Sequence, residues 1–325
     1  MNLPTCFPAR ASVAGIALAF VLSACAPQTA PLDRPNGAAA APEGGVYVMD
    51  FGNYRIAHLS AEGDLLGAFG QLGVGPNDIF YGWDMAVDVE GNLYICNQIL
   101  DDADTTHEGV KVFSSDGKFL REIGGVDYEP GVGRVYSVYA LDLDNAGRVY
   151  TADFGTATVR VFDADGGPLA ELFGEVGTEA EQFDGLNDVA IDDARGLMYV
   201  SDSLNSRVQQ FTLGFEGGAV TATYQRSFGT YGRNPGQFAY LQNLAVDETT
   251  GRLYVGDLAN RRIQIFDSDG KYISEIGAPV GPKDWQVMGL NIGGDGALYV
   301  ADAFNNAVWV FEAGGRLRQK FKVRP

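Results

Sequence analysis

Histidine is the scarcest chemically versatile side chain here: the 325 residues hold two, His58 and His107. Three imidazoles cannot meet, which excludes a three-His zinc centre. No Ser-His-Asp or Cys-His set can be assembled either. Cysteine is almost as rare. Of three, Cys6 and Cys25 lie near the N-terminus, and only Cys96, inside the apolar run Leu93-Tyr94-Ile95-Cys96, falls in the main body. That excludes a disulfide framework, so stability must come from a large core, and Cys96 reads as an inert buried thiol. Basic residues are outnumbered, 23 Lys and Arg against 42 Asp and Glu, for a net charge of -19. Nothing would neutralise phosphates, so nucleic acid is excluded as a partner. Binding to anionic lipid is disfavoured for the same reason. No stretch sustains a 3.6-residue apolar period, so helix is nearly absent, and no Gly-rich strand-to-helix phosphate loop occurs.

The N-terminal segment reads separately. After Arg10, the apolar run Ala11 to Ala24 is too short to span a bilayer comfortably and suits the apolar core of a secretory signal. It ends in Leu22-Ser23-Ala24-Cys25, which resembles the lipobox of bacterial lipoproteins. The resemblance implies cleavage after residue 24 and a lipid on Cys25. Because Ala26 rather than Asp follows, it also implies the outer membrane of the cell envelope. Residues 26–43 are rich in Ala and Pro without apolar period and read as a flexible tether. The expected organisation is a signal peptide at 1–24, lipidated Cys25 with its tether to 43, and a folded domain at 44–325. The lipid would be the only membrane contact, and a monomer is expected.

Within that domain one unit recurs. The tetrad Tyr-X-X-Asp stands at 47–50, 150–153, 199–202, 254–257 and 299–302, with Tyr94 to Asn97 as a degenerate sixth copy. A period of roughly 45 to 56 residues marks one supersecondary unit per repeat. Each unit reads as four short strands: an apolar alternation such as Leu244 to Asp247, the tetrad, a Val/Ile-X-Val/Ile-Phe strand, and a last strand after a tight turn such as Asp269-Gly270. Six such units describe an all-β, six-bladed β-propeller of four-stranded antiparallel blades. Nothing before Val46 resembles an inner strand, so blade one has three strands or borrows part of the 26–43 segment. Ring closure is then expected through packing of units one and six.

The string D-X-X-N-X-R-[VI], as Asp50/Asn53/Arg55/Ile56, Asp202/Asn205/Arg207/Val208 and Asp257/Asn260/Arg262/Ile263, resembles the NHL-repeat family. Blade six keeps Asp302 and Asn305 but has Ala307 for Arg, and in blade three Thr156 and Thr158 follow Asp153. The resemblance covers residues 44–325 and implies the propeller fold; it carries little about activity. The repeated Asp and Asn read as turn-forming acceptors, and the Arg as a tie between blades.

Candidate sites lie in the loops between blades, which share one end of the ring, here called the mouth. Tyr81, Trp83, Tyr139, Tyr240 and Trp285 are the aromatic candidates for contact with a protein, peptide or glycan. Aligning the inner strands brings Asp84, Asn187, Asp188, Gln242 and Asn243 toward the axis, a set of oxygens suited to Ca²⁺. Six-bladed lactonases of the gluconolactonase and paraoxonase type hold calcium in a comparable place, but use a first-blade Glu that has no counterpart here. The amidating-lyase relatives of NHL propellers rely on several histidines, which this chain lacks. The primary expectation is therefore a non-catalytic, lipid-anchored binding propeller without a cofactor. The alternative is a calcium-dependent hydrolase or lyase.

Overall fold

The computed structural model describes residues 30–73, 75–98, 109–125, 135–279 and 284–322. The signal segment and Cys25 lie outside them, as do residues 99–108. Six four-stranded antiparallel sheets, each made of four consecutive long strands, are arranged as a six-bladed propeller. Their inner strands are Pro35–Ala40, Tyr81–Val87, Val138–Leu143, Leu186–Asp192, Leu241–Asp247 and Val287–Ile292.

Side chains alternate across each blade, and both faces are covered by neighbouring blades. This explains why the tetrad strands are apolar throughout. Tyr47 packs toward blade two, among Met85, Ile95 and Phe113, while Val48 packs toward blade six, among Ala301 and Val310. Six apolar clusters result, one at each junction. A fully buried large side chain such as Phe113 or Phe211 contributes about 1.5–3 kcal/mol by leaving water. Cys96 is buried in the junction of blades two and three, and burial raises its thiol well above its ordinary range.

Of the two alternatives for blade one, the borrowed strand holds and the tether reading needs correction. Blade one has four strands, because Pro35–Ala40 pairs antiparallel with Val46–Asp50. Residues 35–40, read as tether, are therefore its inner strand. The run Pro-Asn-Gly-Ala-Ala-Ala has small side chains where blades crowd toward the axis. Gly289 of blade six shows the crowding, since a Cβ there would sit 2.5 Å from the Asn36 carbonyl oxygen. Between blades six and one no sheet is shared. Their junction is an apolar cluster including Leu32, Ala38, Val308 and Phe321. Two polar clasps flank it: the Arg34 N–H donates to Asn306 Oδ1 at 2.9 Å, and Gln319 Nε2 donates to the Ala61 carbonyl at 2.6 Å.

Candidate functional site

The repeated Asp builds the mouth. Asp50, Asp153, Asp202, Asp257 and Asp302 are fully buried, with Asn97 in the sixth place. Each accepts a backbone N–H from the loop entering its own blade: Asp33, Tyr136, Asp184, Ala239, Gln286 and, for Asn97, Phe80, at 2.7 to 3.3 Å. The residue before each of these donors is a buried apolar plug: Leu32, Val135, Phe183, Phe238, Trp285 and Ile79. The repeated Asn donates rather than accepts, as from Asn205 Nδ2 to the Gly177 carbonyl at 2.7 Å. The repeated Arg pairs with the Asp of its own blade, Arg55 with Asp50 at 2.7 Å and Arg207 with Asp202 at 2.6 Å. It then reaches the loop, as Arg207 Nη2 does to the Glu179 and Gln182 carbonyls. The Arg thus ties the incoming loop to its blade instead of bridging two blade bodies.

Where the motif lapses, another side chain completes it. Arg160 Nη1 reaches Asp153 at 2.6 Å in blade three, and Trp309 Nε1 donates to Asp302 at 2.9 Å in blade six. Both come from a position two residues beyond the usual Arg, on the same face of the third strand.

These ties position the aromatic candidates. Phe51, directly after the blade-one Asp, stacks on Tyr81 with ring centroids 5.5 Å apart and lies 6.1 Å from Trp83. Trp83 stacks on Tyr139 at 5.0 Å and 13°, and Tyr139 meets Phe154 at 5.0 Å. Arg34 lies over Phe51 at 5.5 Å, and Trp83 Nε1 donates to Gln98 Oε1 at 2.9 Å. One belt of partly exposed rings thus runs across blades one to three at the mouth. Phe51 and Phe154 were not among the candidates, although both stand in Asp-Phe-Gly after a tetrad. Tyr240 lies apart on blade five, where its hydroxyl accepts from Asn187 Nδ2 at 3.2 Å. Trp285 presents no contact surface: it is 2 % exposed, in the junction of blades five and six. It occupies the place of Phe183 and Phe238, and the burial follows from that register.

The axial residues behave differently from a cation cage. Inner strands are sheet edges, and their outward N–H groups need acceptors. Asp84 accepts the Leu141 N–H at 3.1 Å, Asp142 the Ile191 N–H at 2.8 Å, and Asp188 the Leu244 N–H at 2.6 Å. These carboxylates lace blades two to five around the axis. Burial pushes the Asp84 and Asp142 carboxyls up to about 7, and Asp188 well above the ordinary range. Repulsion from Asp84 adds to the rise at Asp188. Asp142, missed in sequence, lies on its strand two residues past the aligned row. Asn187 turns its amide nitrogen to Tyr240 and to the Leu241 carbonyl, whereas Gln242 adds no bond to the aspartates. The buried Oδ1 atoms of Asn187 and Asn243 have no partner. Among the described residues no three His, Cys, Asp or Glu side chains gather closely enough to hold a metal ion. Of the five residues only Asp84 and Asp188 are carboxylates, and both already accept backbone N–H groups.

A cavity of about 340 Å³ surrounds the axis, lined by Asp84, Asp142, Asp188 and Glu248. Its other walls include Asn145, Thr249 and Gly294, which belong to the hairpins between inner and second strands. The cavity therefore reaches the end of the ring opposite the mouth.

No family model matches the chain. It is 33% identical over 147 residues to the peptidylglycine alpha-amidating monooxygenase of Rattus norvegicus, covering 43% of this chain and 15% of the relative. It is 28% identical over 174 residues to NHL repeat-containing protein 3 of Mus musculus, covering 49% of this chain and 45% of the relative. The chain thus spans less than half the length of either protein. Among solved structures, a gluconolactonase from Xanthomonas campestris matches with a TM-score of 0.62 at 17% identity, covering 88% of this chain and 86% of that one. A virginiamycin B lyase from Staphylococcus aureus matches with a TM-score of 0.56 at 11% identity, covering 90% and 86%. At such identities the structural likenesses concern the fold. Repeats and sheet order make this chain a six-bladed β-propeller, and its sequence is similar to that of NHL-repeat proteins.

Proposed function

We propose that the protein is an exported, lipid-anchored binding propeller that takes a protein, peptide or glycan partner on its mouth-side belt. The observation that carries this reading is the continuous run of rings Phe51, Tyr81, Trp83, Tyr139 and Phe154 across three blades. Aromatic side chains give large contact area at low entropic cost, which suits them to recognition surfaces. Mouth loops tied by buried Asp–Arg pairs hold the belt in place before a partner arrives. Photocrosslinking in cells tests it, with the reactive group at position 139 compared with position 120, an exposed site on an outer strand. Adducts should form at 139, and Trp83→Ala should suppress them. Equal yields at both positions would sink the reading. Export and the anchor are tested by Cys25→Ser, which should release the protein from membranes; wild-type partitioning would refute the anchor.

A calcium-dependent hydrolase or lyase is the second reading. It is supported by the unpartnered Asn187 and Asn243 oxygens on strands that carry or meet Asp188. Native mass spectrometry with added calcium decides it: a single retained ion supports it, and none ends it.

A further inference from the structure

At the hairpin end of the ring the tetrad tyrosines find different partners. In blade three the tetrad tyrosine, Tyr150, donates its hydroxyl to Asp144 at 3.0 Å. Blade two has the same pair, with Asp88 bonded to Tyr94. In blades one and five, Tyr47 and Tyr254 find Glu43 and the Ala313 carbonyl. The blade-six counterpart of Asp144 is Gly293, by the register of inner against second strand. Tyr299 therefore lacks a carboxylate at that position, and the charges beside it are Asp295 and Arg318, which pair with each other. Its side chain is more than nine-tenths buried, and its hydroxyl has no hydrogen-bond partner among the described residues. Tyr199 of blade four is also unbonded, but its hydroxyl is sealed from solvent and lines neither cavity described here.

Tyr299 lines a second cavity of about 620 Å³ bordered by blades one, two, three and six. Its apolar walls include Ala40, Ala86, Leu143, Ile292, Val310 and Phe321. This space and the axial cavity share Ala86, Asp142, Leu143 and Asn291 to Gly294, so they are contiguous. No Lys or Arg lines the axial part, whose charged groups are all carboxylates. Asp142 borders both spaces and stays partly accessible while enclosed by the blades. The combined cavity thus holds several carboxylates, among them Asp142, one cation, Arg318, which is paired with Asp295, an unused phenol and stretches of apolar wall.

We propose that this cavity binds a small primary ammonium compound with an apolar body and an oxygen acceptor. The ammonium meets Asp142, the acceptor takes the Tyr299 hydroxyl, and the body lies against the apolar walls. The site is separate from the mouth-side belt and independent of the partner proposed there. An apolar enclosure with a few convergent polar groups is the usual form of a small-molecule site. An ammonium held against an enclosed carboxylate is also better compensated than either charge alone.

Calorimetric titration of the purified protein with leucinamide tests the proposal, with N-acetyl-leucinamide as the uncharged control. Leucinamide should bind and the acetylated compound should not. Tyr299→Phe should weaken binding about fivefold, the worth of one hydrogen bond. Asp142→Asn should weaken it about tenfold or more. A Cβ at Gly294 meets nothing within 4 Å, so Gly294→Phe can block the cavity without disturbing the fold. It should abolish binding at an unchanged melting temperature. The proposal is overturned by no binding of leucinamide, by equal binding of the acetylated compound, or by full binding in Tyr299→Phe or Gly294→Phe. Displacement of leucinamide by calcium chloride would overturn it in favour of a metal site.

Discussion

The two ends of the ring are built from the same repeat and differ in how faithfully they keep it. At the mouth every blade completes the same arrangement, an acceptor at the end of the tetrad, an N–H from the incoming loop and a buried plug. Blades three and six restore its ion pair or hydrogen bond from a neighbouring position when the Arg is lost. At the hairpin end the Asp–Tyr bond holds only in blades two and three; Tyr47 and Tyr254 find other acceptors, and the Tyr199 and Tyr299 hydroxyls find none among the described residues. The mouth lapses are compensated because a buried carboxylate without a partner is strongly destabilising. A phenol without a partner costs less when it borders a cavity, so the hairpin end can leave a site open.

The largest expected effect lies at the mouth. Asp50→Ala strands the buried Arg55 guanidinium and the Asp33 N–H, and should cost about 3–5 kcal/mol in denaturant unfolding. A loss near zero would mean that the ties do not hold the mouth. Leu32→Ala comes next, at about 2–4 kcal/mol, because it empties the plug that joins blades one and six. Were residues 30–40 a tether, this change would be silent.

A pH series sharpens the contrast further. Asp142 has its folded-state carboxyl raised by burial, then by repulsion from Asp84 and Glu248, so the fold favours its neutral form. Its contribution is fully present below about pH 4 and is lost as pH climbs through about 7. Thermal melts should show the wild type losing more stability than Asp142→Asn between pH 4 and 8, and parallel curves would refute the assignment. The smallest effect should come from Gly294→Phe, within about 0.5 kcal/mol of wild type, since it fills open space.

The repeat was legible in sequence because blades bury both faces, which writes an apolar alternation into every tetrad strand. Blade one's inner strand was not legible. Near the axis Ala and Gly suffice, so Pro35–Ala40 has the composition of a linker. Trp285 misled because an aromatic in a loop reads as exposed, whereas its register with Phe183 and Phe238 makes it a plug. Tyr81, Trp83 and Tyr139 did converge, but Phe51 and Phe154, which complete the belt, lie in the turns after the tetrads and not in the inter-blade loops. Asp84 and Asp188 were found near the axis, yet their bonds to backbone N–H groups depend on neighbouring inner strands that one sequence does not align. The orphaned Tyr299 needed the register of blade three against blade six.

The most direct test of the account compares two hydroxyl deletions. In Tyr150→Phe the buried Asp144 loses one of its donors, keeping the Ala146 and Arg148 N–H groups and the Arg148 guanidinium, and denaturant unfolding should show a loss of about 1.5–3 kcal/mol. In Tyr299→Phe no bond is lost, and stability should stay within about 0.5 kcal/mol of wild type. Equal losses in the two variants would show that Tyr299 already has a partner, and would contradict the claim that the repeat leaves a site open there.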